Sequence, residues 1–359
     1  MTLFKALLTG LIVFGTAAPA ALADSDGFAR QTVSVTRHVH LIYRPIATDA
    51  PYEGNSVVIE QSDGLVVVDA GGSPPAGRHI VEQIEAFSAK PVKFLIYTHY
   101  HGDHNLGAGA FLAAWPKLKI VSTDATRDDM TGKPMDYIKT YGQDYAGEID
   151  FAKAQLKRTV LPPAVRAGWQ QMADVGDSIV AGYKDMKAYP ATQTLADRMT
   201  IPDSETPVEV MFLGKANTDG DAVIWAPTEK VLCTGDIVVE PLPYAAASFP
   251  ASWIAVLGKI AAYDFTYLIP GHGEVQKDRV YLDKVKAALA EVQRQVEPLA
   301  RKGVALDDVY KQTDFKSLMQ SFTGDDGWKK QEFNSFFLHS IIKNEYFEAT
   351  GRPIVQGTS

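Results

Sequence analysis

The segment Thr98-His99-Tyr100-His101-Gly102-Asp103-His104 places three imidazoles and one carboxylate within six residues. Imidazole nitrogen and carboxylate oxygen are the usual ligands of a catalytic zinc. A turn lets adjacent side chains aim at different ions, so Asp103 and His104 need not share a metal with His99 and His101. Packed together without a cation, these groups would suffer desolvation and mutual repulsion unless they stayed in water. Two later residues share the strand-end setting: Asp236 follows the run ending in Cys233-Thr234-Gly235, and His272 sits in the turn Pro270-Gly271-His272-Gly273. By contrast, His38, His40, His79 and His339 have no ligand-type spacing around them and read as ordinary hydrogen-bonded or exposed histidines. Tyr100, Tyr244 and Trp253 are candidates to line a substrate pocket, with core packing as the alternative for each.

These residues must be positioned by the elements between them. Val33 to Tyr43 alternates branched and polar residues, and Ser56 to Glu60 with Leu65 to Val68 form a hairpin pattern closed by Ser62-Asp63-Gly64. The second of those runs ends in Asp69-Ala70-Gly71-Gly72, where small residues free the backbone to turn. Pro75 to Lys90 carries apolar residues at helical spacing, and Val92 to Tyr97 is a short strand that delivers the histidine cluster. Lys119 to Ser122 reads as another strand. From 124 to about 200 the pattern is helical and rich in aromatic residues, which pack an insertion onto the body or wall a pocket. Strands resume at Val208 to Leu213, Ala222 to Ala226, Lys230 to Cys233 and Thr266 to Ile269, with a helix over Ser252 to Tyr263. Tyr281 to Arg301 presents one apolar stripe, Leu282, Val285, Leu289, Val292, Val296 and Leu299, that packs on the body or forms a dimer seam. The tail beyond it holds Trp328, Phe333, Phe336, Phe337 and Tyr346 and is too aromatic to be disordered.

Composition narrows the function. The 359 residues carry a formal charge of −8, so no global basic field exists to hold a nucleic-acid backbone or an anionic membrane surface. A lone cysteine, Cys233, excludes an intrachain disulfide and reads as a small buried strand residue. Residues 1–23 combine Lys5, an apolar stretch from Ala6 to Ala18, Pro19 and Ala21-Leu22-Ala23. That is the pattern of a cleavable export signal, and it predicts a periplasmic or secreted protein without a stable membrane anchor.

The heptapeptide THYHGDH resembles the HxHxDH signature of the metallo-β-lactamase superfamily. The likeness continues in order through VVVDAGG with Asp69, GKANTDGDAVIW, CTGD with Asp236 and PGHG with His272. The resemblance implies an α/β fold, a four-layer αββα sandwich over residues 24–280 with a helical insertion at about 124–200 and a helical C-terminal extension over 281–359. It further implies that His99 and His101 hold a first metal, that Asp103, His104 and His272 hold a second, and that Asp236 bridges the two. By the same resemblance Asp69 orients the ligands from beneath. One position departs from the pattern. The family usually presents a third first-site histidine where this chain has Asn217, and an amide oxygen is a poorer zinc ligand than imidazole. The expectation is therefore one or two divalent ions, zinc first, with iron or manganese as alternatives, and a weakened first site.

On that reading the chain is an exported hydrolase that cleaves an ester, lactone, thioester or cyclic amide, a β-lactam included, in a small molecule. Asp103 serves the attacking water. Two other classes are a mononuclear-iron oxygenase of the same fold, which the loss of a histidine at Asn217 disfavours, and a non-catalytic metal-binding or substrate-binding protein.

Overall fold

Period-2 patterning sorts side chains between two faces of each sheet. In the strand Leu65–Val68, Leu65 and Val67 join the core under the first helices, whereas Val66 and Val68 join the core between the sheets. The computed structural model describes residues 27–357; the expected export signal lies outside the described residues.

The first half runs β1 (Gln31–Ser34), β2 (Val39–Tyr43), β3 (Ser56–Glu60), β4 (Leu65–Val68), α1 (Pro74–Phe87), β5 (Val92–Ile96), α2 (Gly102–Asn105), α3 (Ala108–Ala114) and β6 (Lys119–Thr123). Helices α4 (Asp124–Thr131), α5 (Tyr141–Leu156) and α6 (Pro163–Gly182) follow, and β7 (Gln193–Leu195) returns to the sheet. The second half contains β8 (Arg198–Ile201), β9 (Val208–Phe212), β10 (Ala222–Ala226), β11 (Val231–Cys233), α7 (Pro250–Ala261) and β12 (Tyr267–Ile269). Beyond it come α8 (Val280–Arg301), α9 (Leu306–Gln312), α10 (Lys316–Thr323), α11 (Gly327–Glu332) and α12 (His339–Thr350).

Strands β1 to β7 form one sheet in sequence order, antiparallel through β4 and parallel from β4 to β7. The other sheet runs β12-β11-β10-β9-β8, with β11 and β12 parallel. Helices α1 and α3 cover the first sheet and α7, α8 and α12 cover the second, so the layers are αββα with a helical C-terminal extension.

The expected helical insertion is shorter than its pattern. Its helices end at Gly182, and residues 193–201 instead supply β7 and β8, an edge strand of each sheet. Both are short and polar, and they owe their strand form to pairing with β6 and β9 rather than to their own periodicity. The run Val33 to Tyr43 is likewise two strands, β1 and β2, paired with each other. The α8 stripe packs within the chain: Leu282, Val285, Leu289, Val292 and Val296 are buried in the same core as α7 and α12. No helix among the described residues is long and apolar enough to cross a membrane.

One buried acid has a consequence for stability. Glu332, at the end of α11, is 4 % exposed; its Oε1 accepts the Tyr52 hydroxyl at 3.2 Å while Oε2 meets no donor. Burial pushes its pKa up to about 8. The folded state then keeps a proton that the unfolded chain releases above its ordinary carboxyl range, so this contribution is full at low pH and is lost as pH rises towards 8. Thermal unfolding midpoints measured from pH 5 to 8 are expected to fall with pH, and Glu332→Gln to flatten that slope. An identical slope in the variant would refute the assignment.

Candidate metal centre

The functional side chains gather where strands end. Asp69 follows β4, the histidine cluster follows β5, Asp236 follows β11 and His272 follows β12, all at the carboxyl ends of parallel strands. There the chain leaves the sheet with free backbone groups and room for a site. The turn carrying Asn217 enters β10 and docks on the same edge, because the Ala222 N–H donates to the Thr98 carbonyl at 2.7 Å.

Two ligand sets form around one carboxylate. In the first, His99 Nε2 and His101 Nδ1 are 2.9 Å apart, and His99 Nε2 is 3.7 Å from Asp236 Oδ2. In the second, His104 Nε2 lies 3.2 Å from His272 Nε2, 3.2 Å from Asp236 Oδ1 and 3.3 Å from Asp103 Oδ2. His272 Nε2 lies 3.0 Å from Asp103 Oδ2 and 3.5 Å from Asp236 Oδ1. Asp236 thus sends one oxygen to each set.

The tautomers follow from Asp69. Its Oδ1 accepts the Thr98 N–H at 2.8 Å, and its Oδ2 accepts the Thr98 hydroxyl and faces His104 Nδ1, each at 2.8 Å. The carboxylate can only accept, so His104 carries a proton on Nδ1 and directs Nε2 into the cluster, the nitrogen that would ligate a cation once its own proton is displaced. Thr98 has given its hydroxyl hydrogen to Asp69, so its oxygen accepts from His99 Nδ1 at 2.9 Å, and His99 Nε2 is a lone pair. Asp69 adopts a left-handed conformation with φ 60, a cost of order 1–3 kcal/mol for a non-glycine residue that the surrounding bonds offset.

Electrostatics agrees with a cation site. Burial, then His104 and His101, hold His99 well below the usual imidazole range, and burial also lowers His101, so both stay neutral. Burial disfavours charge on His104 as well, yet Asp103, Asp236 and Asp69 outweigh it and raise its pKa well above that range. Burial opposes charge on Asp103 and Asp236, but His104 and His272 overcome it and hold both carboxyls low. Asp69 is raised by burial despite its donors. Negative charge is therefore concentrated on Asp103 and Asp236, and the proton that His104 holds among them marks where a bound cation would balance it.

The residues fit a metal. Ligands at about 2.0–2.2 Å in a tetrahedron stand roughly 3.3–3.6 Å apart, which is close to the spacing within the second set. Asp236 Oδ1 is buried and receives no hydrogen bond of good geometry, leaving a lone pair for a cation. Asn217 is fully buried; its Nδ2 donates to the Tyr244 carbonyl at 2.7 Å, and its Oδ1 has no donor. Asp221 holds that turn by accepting the Ala216 N–H, the Thr218 N–H and the Thr218 hydroxyl at 3.1, 2.8 and 2.9 Å.

The pocket candidates separate. Tyr244 is half-buried, with its ring edge-on to His101 at 5.6 Å between centroids. Tyr100 is buried, its ring 4.7 Å from that of His101 and its hydroxyl accepting the Gly357 N–H at 2.9 Å. Trp253 does not line a pocket: it is 1 % exposed in the core beneath the second sheet, and its indole N–H donates to the Ile237 carbonyl. An aromatic residue on an amphipathic helix was the only signal for it, and that signal does not separate core from pocket. Sequence reasoning missed Phe336. Its ring lies 6.3 Å from Tyr244 and 5.1 Å from Tyr52, placed by a π-helical turn over Phe333–Leu338 whose Phe336 carbonyl accepts the Ala245 N–H.

A sequence profile described as the metallo-β-lactamase superfamily matches residues 49–272. The chain belongs to the metallo-β-lactamase superfamily. A linear primary-alkylsulfatase of Pseudomonas sp. (strain ATCC 19151) is 23 % identical over 74 % of this chain and 51 % of its own length. The 2,4-dinitroanisole O-demethylase subunit alpha of Nocardioides sp. (strain JS1661) is 22 % identical over 60 % of this chain and 52 % of its own. The chain spans about half the length of these relatives. Among solved structures, the stereoselective inverting sec-alkylsulfatase Pisa1 from Pseudomonas sp. superposes with a TM-score of 0.63 at 17 % identity, covering 89 % of this chain and 50 % of that one. A metallo-β-lactamase from Pontibacter korlensis gives 0.51 at 16 % identity, covering 73 % and 99 %. At these identities the superpositions speak for the shared fold.

Proposed function

We propose that this protein is a metal-dependent hydrolase that cleaves an ester bond in a small organic molecule with an apolar group. The observation that carries the reading is Asp236, whose two oxygens divide between two histidine-containing sets. His99, His101 and Asp236, with Asn217 Oδ1 as a weak neutral donor, would hold one ion; Asp103, His104, Asp236 and His272 would hold the other. A divalent pair held there, zinc foremost, would supply an acidified water at neutral pH and would polarise the bond under attack.

The chain's own groups do the rest. Asp69 keeps His99 and His104 in the ligating tautomer. Asp103 is the most exposed carboxylate of the site, with a side chain 27 % accessible against 3 % for Asp236. Its Oδ2 faces His104 and His272, which leaves Oδ1 to accept a hydrogen bond from the attacking water and orient it. Tyr244, Phe336 and Tyr52, all half-buried and in ring contact, form an apolar wall beside His101 for the organic part of the substrate. The names of the alkylsulfatase relatives favour a sulfate ester among the ester classes.

Metal content followed by a panel of alkyl sulfates, carboxylic esters, lactones and β-lactams tests the reading. Turnover that requires added divalent metal and is lost in Asp103→Ala is expected. No turnover by the metal-replete protein on any member would favour a binding role instead. Asn217 provides a separate test. Asn217→His is expected to tighten the ion at His99 and His101 by about tenfold or more, because imidazole replaces an amide oxygen. Full and equal occupancy of two ions in both proteins would remove the idea of a weakened first site.

A further inference from the structure

Between β2 and β3 the chain passes Glu53, Gly54 and Asn55, which reach both ligand-bearing turns of the second set. Asn55 is 4 % exposed. Its backbone N–H donates to the Gly271 carbonyl at 2.7 Å, and its Nδ2 donates to the carbonyls of Pro270 and Gly273, each at 2.9 Å. Asn55 therefore spends its donors on the residues that flank His272. One position earlier, the Gly54 N–H donates to the Asp103 carbonyl at 3.2 Å, and a Cβ on Gly54 would stand 2.5 Å from His104 Cε1. Only glycine allows the imidazole to lie against this backbone.

Glu53 and Arg30 lock the segment from behind. Glu53 Oε2 accepts Arg30 Nη2 and the Gly72 N–H, each at 2.6 Å, while Arg30 Nη1 donates to the Gly54 carbonyl at 2.8 Å. Both side chains are at most 1 % exposed. Gly72 in turn abuts the ligand turn, since a Cβ there would lie 2.7 Å from Asp103 Cα. A buried ion pair returns little net stability after desolvation, but its hydrogen bonds restrict geometry. None of these contacts involves His99 or His101.

We propose that Glu53, Gly54 and Asn55, anchored by Arg30, act as positioning residues that set the separation of the Asp103–His104 turn from the His272 turn and thereby tune the second metal position selectively. The proposal rests on the two-set reading of the metal centre. Its readout is metal affinity rather than turnover, so the two ideas fail differently.

The experiment is a cobalt(II) titration of the full chain against a competing chelator in two backgrounds. With His99→Ala and His101→Ala only the second set remains; with His104→Ala and His272→Ala only the first remains. Asn55→Ala is expected to weaken cobalt binding about 10- to 100-fold in the first background, the range for loss of a partner that orients ligands, and to change it less than about threefold in the second. Asn55→Asp keeps the volume but cannot donate to two carbonyls, so it is expected not to rescue. If Asn55→Ala does not fold, Arg30→Lys keeps the charge while removing the forked contact, and the same selectivity is expected. Equal losses in both backgrounds, or unchanged affinity in the second-set background, would overturn the proposal. Failure of the unmodified chain to bind cobalt at all would overturn the metal reading itself.

Discussion

Asp236→Ala is expected to strip metal from both sets at once, whereas alanine at any one histidine leaves the other set intact. The reason is the division of its carboxylate, with Oδ1 3.2 Å from His104 Nε2 and Oδ2 3.7 Å from His99 Nε2. Removing it also takes away the charge that most directly balances a cation between four imidazoles, since Asp103 faces only His104 and His272. The fall in affinity is expected to exceed the roughly 10- to 100-fold cost of losing an outer partner. Asp236→Asn, which keeps one ligating oxygen without the charge, is expected to fall between alanine and wild type. Metal per chain after dialysis against a weak chelator measures both, with a circular-dichroism melt to confirm folding. Retention of one full equivalent in Asp236→Ala would show that the carboxylate is not shared.

Asp69→Asn is expected to cost about 10- to 100-fold in metal affinity without touching a ligand. Asp69 accepts from three donors, the Thr98 N–H, the Thr98 hydroxyl and His104 Nδ1. An amide can accept with only one of its two ends, so at least one donor meets an NH2 group. The repulsion is relieved when His104 moves its proton to Nε2, the atom that faces Asp103, Asp236 and His272. Thr98→Val separates the two branches of the network: it removes the hydroxyl that faces His99 Nδ1 but keeps the backbone donor and the His104 contact. Its effect is expected to centre on the first set, and that of Asp69→Asn on the second. Competition titrations on both variants decide, and an unaltered affinity in Asp69→Asn would dismiss the tautomer assignment.

Legibility in the sequence followed the range of the interaction. His99, His101, Asp103 and His104 are neighbours in sequence, so any strand-to-turn transition there concentrates them at one strand end. Strand β10 has the bounds that its apolar run implies, and α8 keeps to its stripe. Strands β7 and β8 carry almost no pattern because their neighbours impose their form. Trp253 was a pocket candidate on residue type alone, and burial in the α7 core removes it from any surface.

The sequence by itself carried the motifs that resemble the superfamily, the two-sheet architecture that this resemblance implies, and the residue types able to hold a metal, since motif spacing is a local property. Only the tertiary structure decided how those residues divide into sets and what holds them. The Asn55 side chain lies 215 residues from the Pro270 carbonyl it binds, and His104 lies 168 residues from His272. Contacts of such separation arise when the two sheets pack and bring their strand ends together, and no local spacing records them. The same packing orients Asp236 so that its two oxygens face different histidines, a property of one side chain's direction rather than of its place in the chain.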